Sequence, residues 1–326
     1  MRSEPSTQMS ITYVERFDNG HWIKVPSVDI DGITTVVTGS WLKRAAIDAE
    51  ECGETELPEP QTYIDRLQKY RAHGLVADMF TFAQKLPCTD RKYSYPMERE
   101  GVAAIRMTTF SKWWDRLPQV SRKNVRRAAK RGVEICVKSV DDDLVRGIVD
   151  INNETPIRQG KQFTHYGERF DRVKTDFLAF SHRSDVICAY VGRELVGLTK
   201  IIYCGEVAAI MKLQTKVSQA DRRPANALIA GAIEHCSEKR VSFVTYGLYR
   251  YGNQSWTSLM EFKARHGFEE IVVPRYFVPL SVKGIVTSRL KLHRGIVGIL
   301  PSGVVQVGRT LRSRWTTDLL AGVAQR

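Results

Sequence analysis

The sequence predicts an α+β protein built on a mixed, mostly antiparallel sheet flanked by helices, with a smaller α+β lobe at the N-terminus. Three observations carry this. Apolar runs of strand length recur with glycine turns between them, longer amphipathic segments alternate with these runs, and 326 residues, 43% of them hydrophobic and 26% charged, suffice for about two cores. Such a composition excludes disordered and fibrous classes.

The chain opens with alternating β-type residues from Thr12 to about Ser40, punctuated by Asp18-Asn19-Gly20 and Asp31-Gly32, which predict a meander or pair of hairpins. Gln61–Ala72 reads as a helix, Ala77–Leu86 as a strand ended by Pro87, and Gly101–Arg106 as a second short strand. Together these make a lobe over 1–110. Ser111–Arg131 predicts one long helix linking two lobes (111–132), whose second half carries Arg122, Lys123, Arg126, Arg127, Lys130 and Arg131 before Gly132 stops it.

Val133–Val140 is a strand, and Asp141-Asp142-Asp143 places carboxylates at the positive end of a helix running to about Asn153, ended by Pro156. A second helix near Tyr166–Ala179 leads into strand-turn-strand patterning: Asp185–Val191, Leu195–Cys204 and Val207–Val217, with turns at Gly192 and Gly205. Ala225–Arg240 is an apolar-periodic helix, Val241–Gly247 a strand, Ser255–His266 a helix closed by Gly267, and Glu269–Leu280 a last strand. The larger lobe therefore spans 133–280, followed by a basic helical appendage over 281–326.

Forty-nine Lys plus Arg against 36 Asp plus Glu give a net charge of +13, which points to an anionic partner. Residues 281–326 hold eight bases against Asp318 alone, interleaved with Ile296, Val297, Ile299 and Leu300, a pattern that suits packing on the body or peripheral contact with an anionic membrane. Met1–Ser10 lacks the apolar core of a secretory signal, and no stretch reaches membrane-spanning length. The six cysteines form no CxxC pair, so no metal site is expected, and the cytoplasm, extending to the inner face of the membrane, is the expected location.

The element order from Val133, the arginine cluster before Gly132-Val133-Glu134-Ile135, and the segment Phe262-Lys263-Ala264-Arg265-His266-Gly267-Phe268 resemble the GCN5-related N-acetyltransferase (GNAT) superfamily, in its FemAB-like branch. The resemblance covers about Lys112 to Leu280 and implies the acyl-CoA N-acyltransferase fold. It further implies transfer of an acyl group from acetyl-CoA or another acyl-CoA to an amine on a small molecule or cell-envelope precursor. Some FemAB-like proteins take an aminoacyl group from tRNA instead, and a non-catalytic binding or membrane-surface module is the third alternative. The pyrophosphate turn of the family, Q/R-x-x-G-x-G/A, matches Arg222, Arg223, Pro224, Ala225, Asn226 and Ala227, with Ala225 where the pattern has glycine. Anion binding at such a turn rests on unpaired N–H groups and the helix dipole.

The resemblance also implies that backbone N–H groups around Lys212, Leu213, Gln214 and Thr215 hold the acyl carbonyl, and that a tyrosine after the fifth strand supplies the proton. Extended spacing through Thr245–Asn253 makes Tyr249 and Tyr251 the acid candidates, with Tyr246 a core ring. The polar stretch Asn152–Tyr166 is the expected cover of the acceptor pocket, with Glu154 or His165 as base and Arg158, Gln159 and Tyr166 as acceptor contacts. Lys263 completes the substrate-binding set. No GxSxG elbow or Cys–His arrangement calls for a covalent intermediate.

Overall fold

The computed structural model describes residues 9–18, 21–158, 160–251 and 257–292. In chain order the elements are β1 (Thr12–Asp18), β2 (His21–Ile30), β3 (Ile33–Thr38), β4 (Arg44–Ile47), α1 (Pro60–Lys69), β5 (Met79–Ala83) and β6 (Met97–Arg106). Then come α2 (Phe110–Arg116), α3 (Gln119–Lys130), β7 (Val133–Lys138), α4 (Asp142–Asn153), β8 (Ile157–Arg158), β9 (Lys161–Gln162), α5 (Phe170–Leu178), β10 (Ser184–Val191) and β11 (Glu194–Cys204). The chain closes with β12 (Val207–Thr215), α6 (Pro224–Glu238), β13 (Phe243–Leu248), α7 (Ser258–Arg265), β14 (Glu269–Pro279) and α8 (Val282–Arg289).

Twelve strands form one sheet in the order β1-β2-β3-β4-β5-β14-β6-β13-β12-β11-β10-β7. All neighbours are antiparallel except β4 with β5 and β12 with β13. The sheet does not respect the chain boundary near residue 110: β14, late in sequence, lies between β5 and β6, and β6 pairs with β13. Whatever the N-terminal region contributes is thereby fixed in register against the later strands.

Helices cover both faces. On one, α6 buries Leu228, Ile229, Ile233 and Cys236 against β10–β12, joined by Trp113 of α2 and Ala128 of α3. A Leu228→Ala cavity there would cost roughly 2–5 kcal/mol. On the other, Val145, Ile148 and Ile151 of α4 and Phe177 of α5 pack against Val186, Cys188 and Leu198. A third core beneath β2–β5 stacks Tyr63, Phe80, Phe82 and Tyr276, with ring centroids 5.5, 5.6 and 5.0 Å apart in succession.

Local chemistry sets the element ends. Asp141 caps α4 by accepting the Leu144 N–H at 2.8 Å, with Asp142 and Asp143 in the first turn, as the sequence predicts. The single helix expected over Ser111–Arg131 is two helices. Pro118 forces the preceding Leu117 out of the helical region (φ −63°, ψ 142°), and the chain restarts at Gln119. The helix expected from Tyr166 starts at Phe170, because Gly167 is left-handed at φ 80°. Strand β4 has no counterpart in the sequence reading.

Candidate active site

Strands β12 and β13 pair only over Val207–Ala209 and Phe243–Thr245, then part. Irregularities in both strands accompany the parting. Lys200 faces Lys212 but Ile201 faces Ile210, which leaves Met211 as a bulge in β12. In β13 the register against β6 slips between Thr245 and Leu248, around Gly247, which is left-handed at φ 59°.

A cavity of about 840 Å³ lies at this parting, lined by Val207, Ala209, Met211, Tyr246, Gly247 and Tyr251 on one side. The N-terminal region and β14 supply the opposite wall with Glu50, Glu51, Glu54, Lys85, Glu100 and Arg275. Arg275 joins two carboxylates, with Nη2 2.9 Å from Glu50 Oε2 and Nε 2.5 Å from Glu100 Oε2. Burial alone disfavours its charge, but the two carboxylates outweigh burial and hold its pKa above the ordinary arginine value. Burial pushes the Glu50 carboxyl up, opposed by Arg275 and by the Ala83 N–H at 2.7 Å. Lys85 turns its ammonium to the Glu50 carbonyl at 2.8 Å and to the Gly53 carbonyl. Two carboxylates on one guanidinium, with Glu51 exposed at the mouth, give this wall a negative field.

Lys263 of α7 is fully buried behind the tyrosines. Its Nζ donates to the Leu248 carbonyl at 2.6 Å and stands 4.8 and 5.0 Å from the ring centroids of Tyr246 and Tyr251. Desolvation lowers its pKa to about 8. Tyr251 is 48% exposed to the cavity side. Burial raises its phenol pKa, the Leu248 N–H on the phenol oxygen works against this, and the charge of Glu51 adds to it. Leu248 therefore ties the pair, holding the phenol with its N–H and the ammonium with its carbonyl.

The turn after β12 is occupied by the protein's own groups. Glu154 accepts the Ser218 N–H at 2.9 Å and the Val217 N–H. Burial would raise the Glu154 carboxyl, but bonds from Ser218 and Val217 and the nearby Arg158 charge hold it below the ordinary range. Asp221 pairs with Arg131 at 2.6 Å, and Arg222 Nη1 donates to the Arg131 carbonyl at 2.5 Å. At the start of α6, Pro224 has no N–H, and the Asn226 and Ala227 amides bond the Arg223 carbonyl at 3.1 and 3.4 Å. The left-handed residue is Arg223 (φ 60°), not Ala225.

The structure separates the expected site residues. Tyr249 is only 8% exposed, donates its N–H to the Gly101 carbonyl at 2.8 Å and packs in the α6 core. The turn at Gly247 breaks the expected alternation and brings Tyr246 and Tyr251 to the cavity instead. The Asn152–Tyr166 loop does not line this cavity. Its Arg158 donates to the Thr215 carbonyl at 3.1 Å and to the Ile151 carbonyl and stacks 3.8 Å from the Phe163 ring, so the loop lies against the end of β12. Glu154 serves as a cap, and His165 Nδ1 meets Glu168 at 3.0 Å, so neither faces the cavity. Tyr166 is exposed, and Gln159 lies outside the described residues. On β12, Lys212 pairs with Asp176 at 3.3 Å, Leu213 packs on the α6 core, and Gln214 Oε1 is buried without a hydrogen-bond partner among the described residues. The stretch of β12 left unpaired by β13 thus begins at Ile210, two residues before the expected Lys212.

The sequence reading missed the Glu50–Glu56 wall, Arg275 and Met211. A usable signal was present in Glu50-Glu51-Cys52-Gly53-Glu54, an acidic run with no helical or strand periodicity. Among the described residues no group of three or more His, Cys, Asp and Glu side chains converges to hold a metal, and no helix is long and apolar enough to cross a membrane.

A parallel strand pair that parts over a cavity, with the connecting helix α6 packed on the sheet, defines the class by its fold, which is of the GNAT type. No protein-family model and no curated protein sequence matches the chain. Among solved structures, L-PGS from Bacillus licheniformis is similar, at 13% identity over 82% of this chain and 86% of that one, with a TM-score of 0.50. The C-terminal domain of a putative lysylphosphatidylglycerol synthetase from Agrobacterium fabrum aligns at 14% identity over 82% and 87%, with a TM-score of 0.48. FemX aligns at 11% over 87% and 91%, with a TM-score of 0.46. At such identities the likeness is one of fold.

Proposed function

We propose that the protein is a transferase that moves an acyl or aminoacyl group onto an amine in the cavity between β12 and β13. The carrying observation is Lys263: a buried ammonium held by one carbonyl behind two tyrosines that line a cavity with an acidic far side. An unpaired buried charge of this kind destabilises a fold and is retained where it acts on developing negative charge.

In this reading the amine enters along the carboxylate wall, which favours its protonated form for binding, and Glu51 at the mouth takes its proton. The amine nitrogen then attacks the carbonyl carbon of the donor. A C–N bond forms, and the carbonyl becomes an oxyanion beside the unpaired backbone of β12 beyond Ala209, within the field of Lys263 behind the tyrosines. As the bond to the carrier breaks, Tyr251 protonates the leaving oxygen or sulfur, its phenolate takes the remaining proton that the new amide nitrogen sheds, and Glu51 returns its proton to solvent. A phenol whose pKa is raised stays protonated at neutral pH, as that role requires.

The turn over Val217–Ala227 does not fit the pyrophosphate of coenzyme A, because Glu154 holds the Val217 and Ser218 amides, the Arg223 carbonyl holds the Asn226 and Ala227 amides, and the Arg222 guanidinium is on the Arg131 carbonyl. Lys123, Arg126, Arg127 and Lys130 stand exposed on α3, which packs on α6, and Arg223 is exposed at the start of α6. A polyanionic carrier such as aminoacyl-tRNA suits that strip.

The test is a pair of titrations on the full chain, one with acetyl-CoA and one with aminoacyl-tRNA, each followed by mass-spectrometric search for acylated amines. Binding of the RNA that weakens steeply with salt, with acylated amine formed only by protein retaining Lys263, supports the reading. Formation of product by Lys263→Met at an undiminished rate contradicts it.

A further inference from the structure

Helix α8 is fastened to the body by a narrow contact and turns an apolar side outward. Only Gly284 and Thr287 of the helix are buried. A methyl group at Gly284 would strike the Asp78 backbone carbonyl, so the helix lies close on residue 78. The Asp78 carboxylate binds three segments together: it accepts from Ser281 Oγ at 2.8 Å and from the Lys43 N–H at 2.9 Å, and meets Lys283 Nζ at 3.5 Å. Lys283 also donates to the Trp41 carbonyl and sits 5.1 Å from the Trp41 ring centroid. Arg71 reaches the Leu280 carbonyl at 3.1 Å. Segments 39–43, 69–76 and 280–292 thus meet on one face.

That face is both apolar and basic. Val282 is 78% exposed, Leu290 61% and Trp41 58%, with Ile285, Val286 and Val76 beside them. The three segments carry Lys43, Lys69, Arg71, Lys283, Arg289 and Lys291 and no acid, and the buried Asp78 fastens 39–43 to 280–292. Scattered exposed apolar residues need no explanation, but a tryptophan and a helix face ringed by bases form an interfacial pattern.

We propose that Trp41 and the outward side of α8 dock the protein on an anionic lipid bilayer, with the apolar side chains in the headgroup boundary and the six bases against lipid phosphates. Charge decides the occupant. A second copy would set six bases against six. Residues 293–326 carry five arginines and one acid, so laying them on this face would bring like charges together. Anionic lipid complements both the face and the sequence that follows it. The inference stands independently of the transferase reading.

The test is flotation of the full chain with vesicles of phosphatidylcholine alone and with about 30% phosphatidylglycerol added. The protein should float with the anionic vesicles only and be released by high salt. Val282→Glu with Val286→Glu should lower the bound fraction about tenfold and Trp41→Ala about threefold. Both sites are exposed, so the fold is expected to survive, which circular dichroism checks. Leu178→Glu, at an exposed position on α5, should leave binding unchanged. Absence of flotation, or undiminished flotation of the double variant, overturns the proposal. So does a dimer in light scattering that the double variant converts to monomer, because the face would then be a subunit interface.

Discussion

The segments that follow β12 and β13 are built on opposite principles. At the turn over Val217–Ala227, after β12, several charged groups and amides find partners within the protein: Glu154 accepts from two amides, Asp221 pairs with Arg131, and Arg222 donates to a carbonyl. At the end of β13 Lys263 has one carbonyl and two ring faces, and its pKa falls to about 8. Self-satisfied polar groups make a stable turn and leave little for a ligand; an under-satisfied ammonium costs stability and has capacity to spare. On the proposed function, this contrast is the reason for assigning the chemistry to Lys263 and Tyr251.

The sharpest way to break this comparison is Lys263→Met. Transfer should fall by about 10²–10³-fold, the range for losing one charge-stabilising donor, while thermal stability holds or rises. The pH dependence has a definite sign. The folded pKa lies below the unfolded one, so the unfolded chain binds the extra proton. The stability penalty is fully present below pH of about 8 and is relieved as pH rises from there toward the ordinary lysine range. Lys263→Met should lack that rise, read from denaturant midpoints across the window.

Next in size, Tyr251→Phe should cost about 10²-fold in turnover if the phenol is the acid, while Tyr249→Phe, in the core, should leave turnover nearly unchanged. Equal losses would erase the distinction drawn at Gly247. At the turn after β12, Glu154→Ala should free the Val217 and Ser218 amides and tighten binding of acetyl-CoA by about tenfold, read by calorimetry. Unchanged affinity would mean that the carboxylate is not what closes the turn. Smallest is Gly247→Ala, which should cost roughly 1–2 kcal/mol for its left-handed backbone. Its new methyl group would also press on Tyr251 Oη, at 2.7 Å from the ideal Cβ position, so turnover should drop alongside stability.

Much of the larger region was legible from local signals. Asp141 announced α4, the three-strand meander followed its glycine turns, and Phe262–Phe268 marked the helix that carries Lys263. Pro118 was also readable and should have split the helix. What was not legible depended on distant pairing. The Glu50 wall faces the cavity only because β14 inserts between β5 and β6 and brings Arg275 to it. Tyr246 and Tyr249 exchange the places expected of them because of one left-handed glycine, which periodicity does not register. Glu154 looked like a base because a carboxylate in a polar loop has the same sequence signature as a cap. Only its 2.9 Å bond to the Ser218 amide distinguishes the two.

The central claim is that Lys263 is a buried, charge-bearing group behind the two tyrosines that line the proposed substrate cavity. Its most direct test is a pH titration of the lysine side chains by NMR on lysine-labelled protein, with the Lys263 signal assigned from its loss in Lys263→Met. The account predicts a pKa of about 8 and a shift of that signal when an acyl donor or amine binds. A pKa at the free-lysine value, with no response to either ligand, would contradict it.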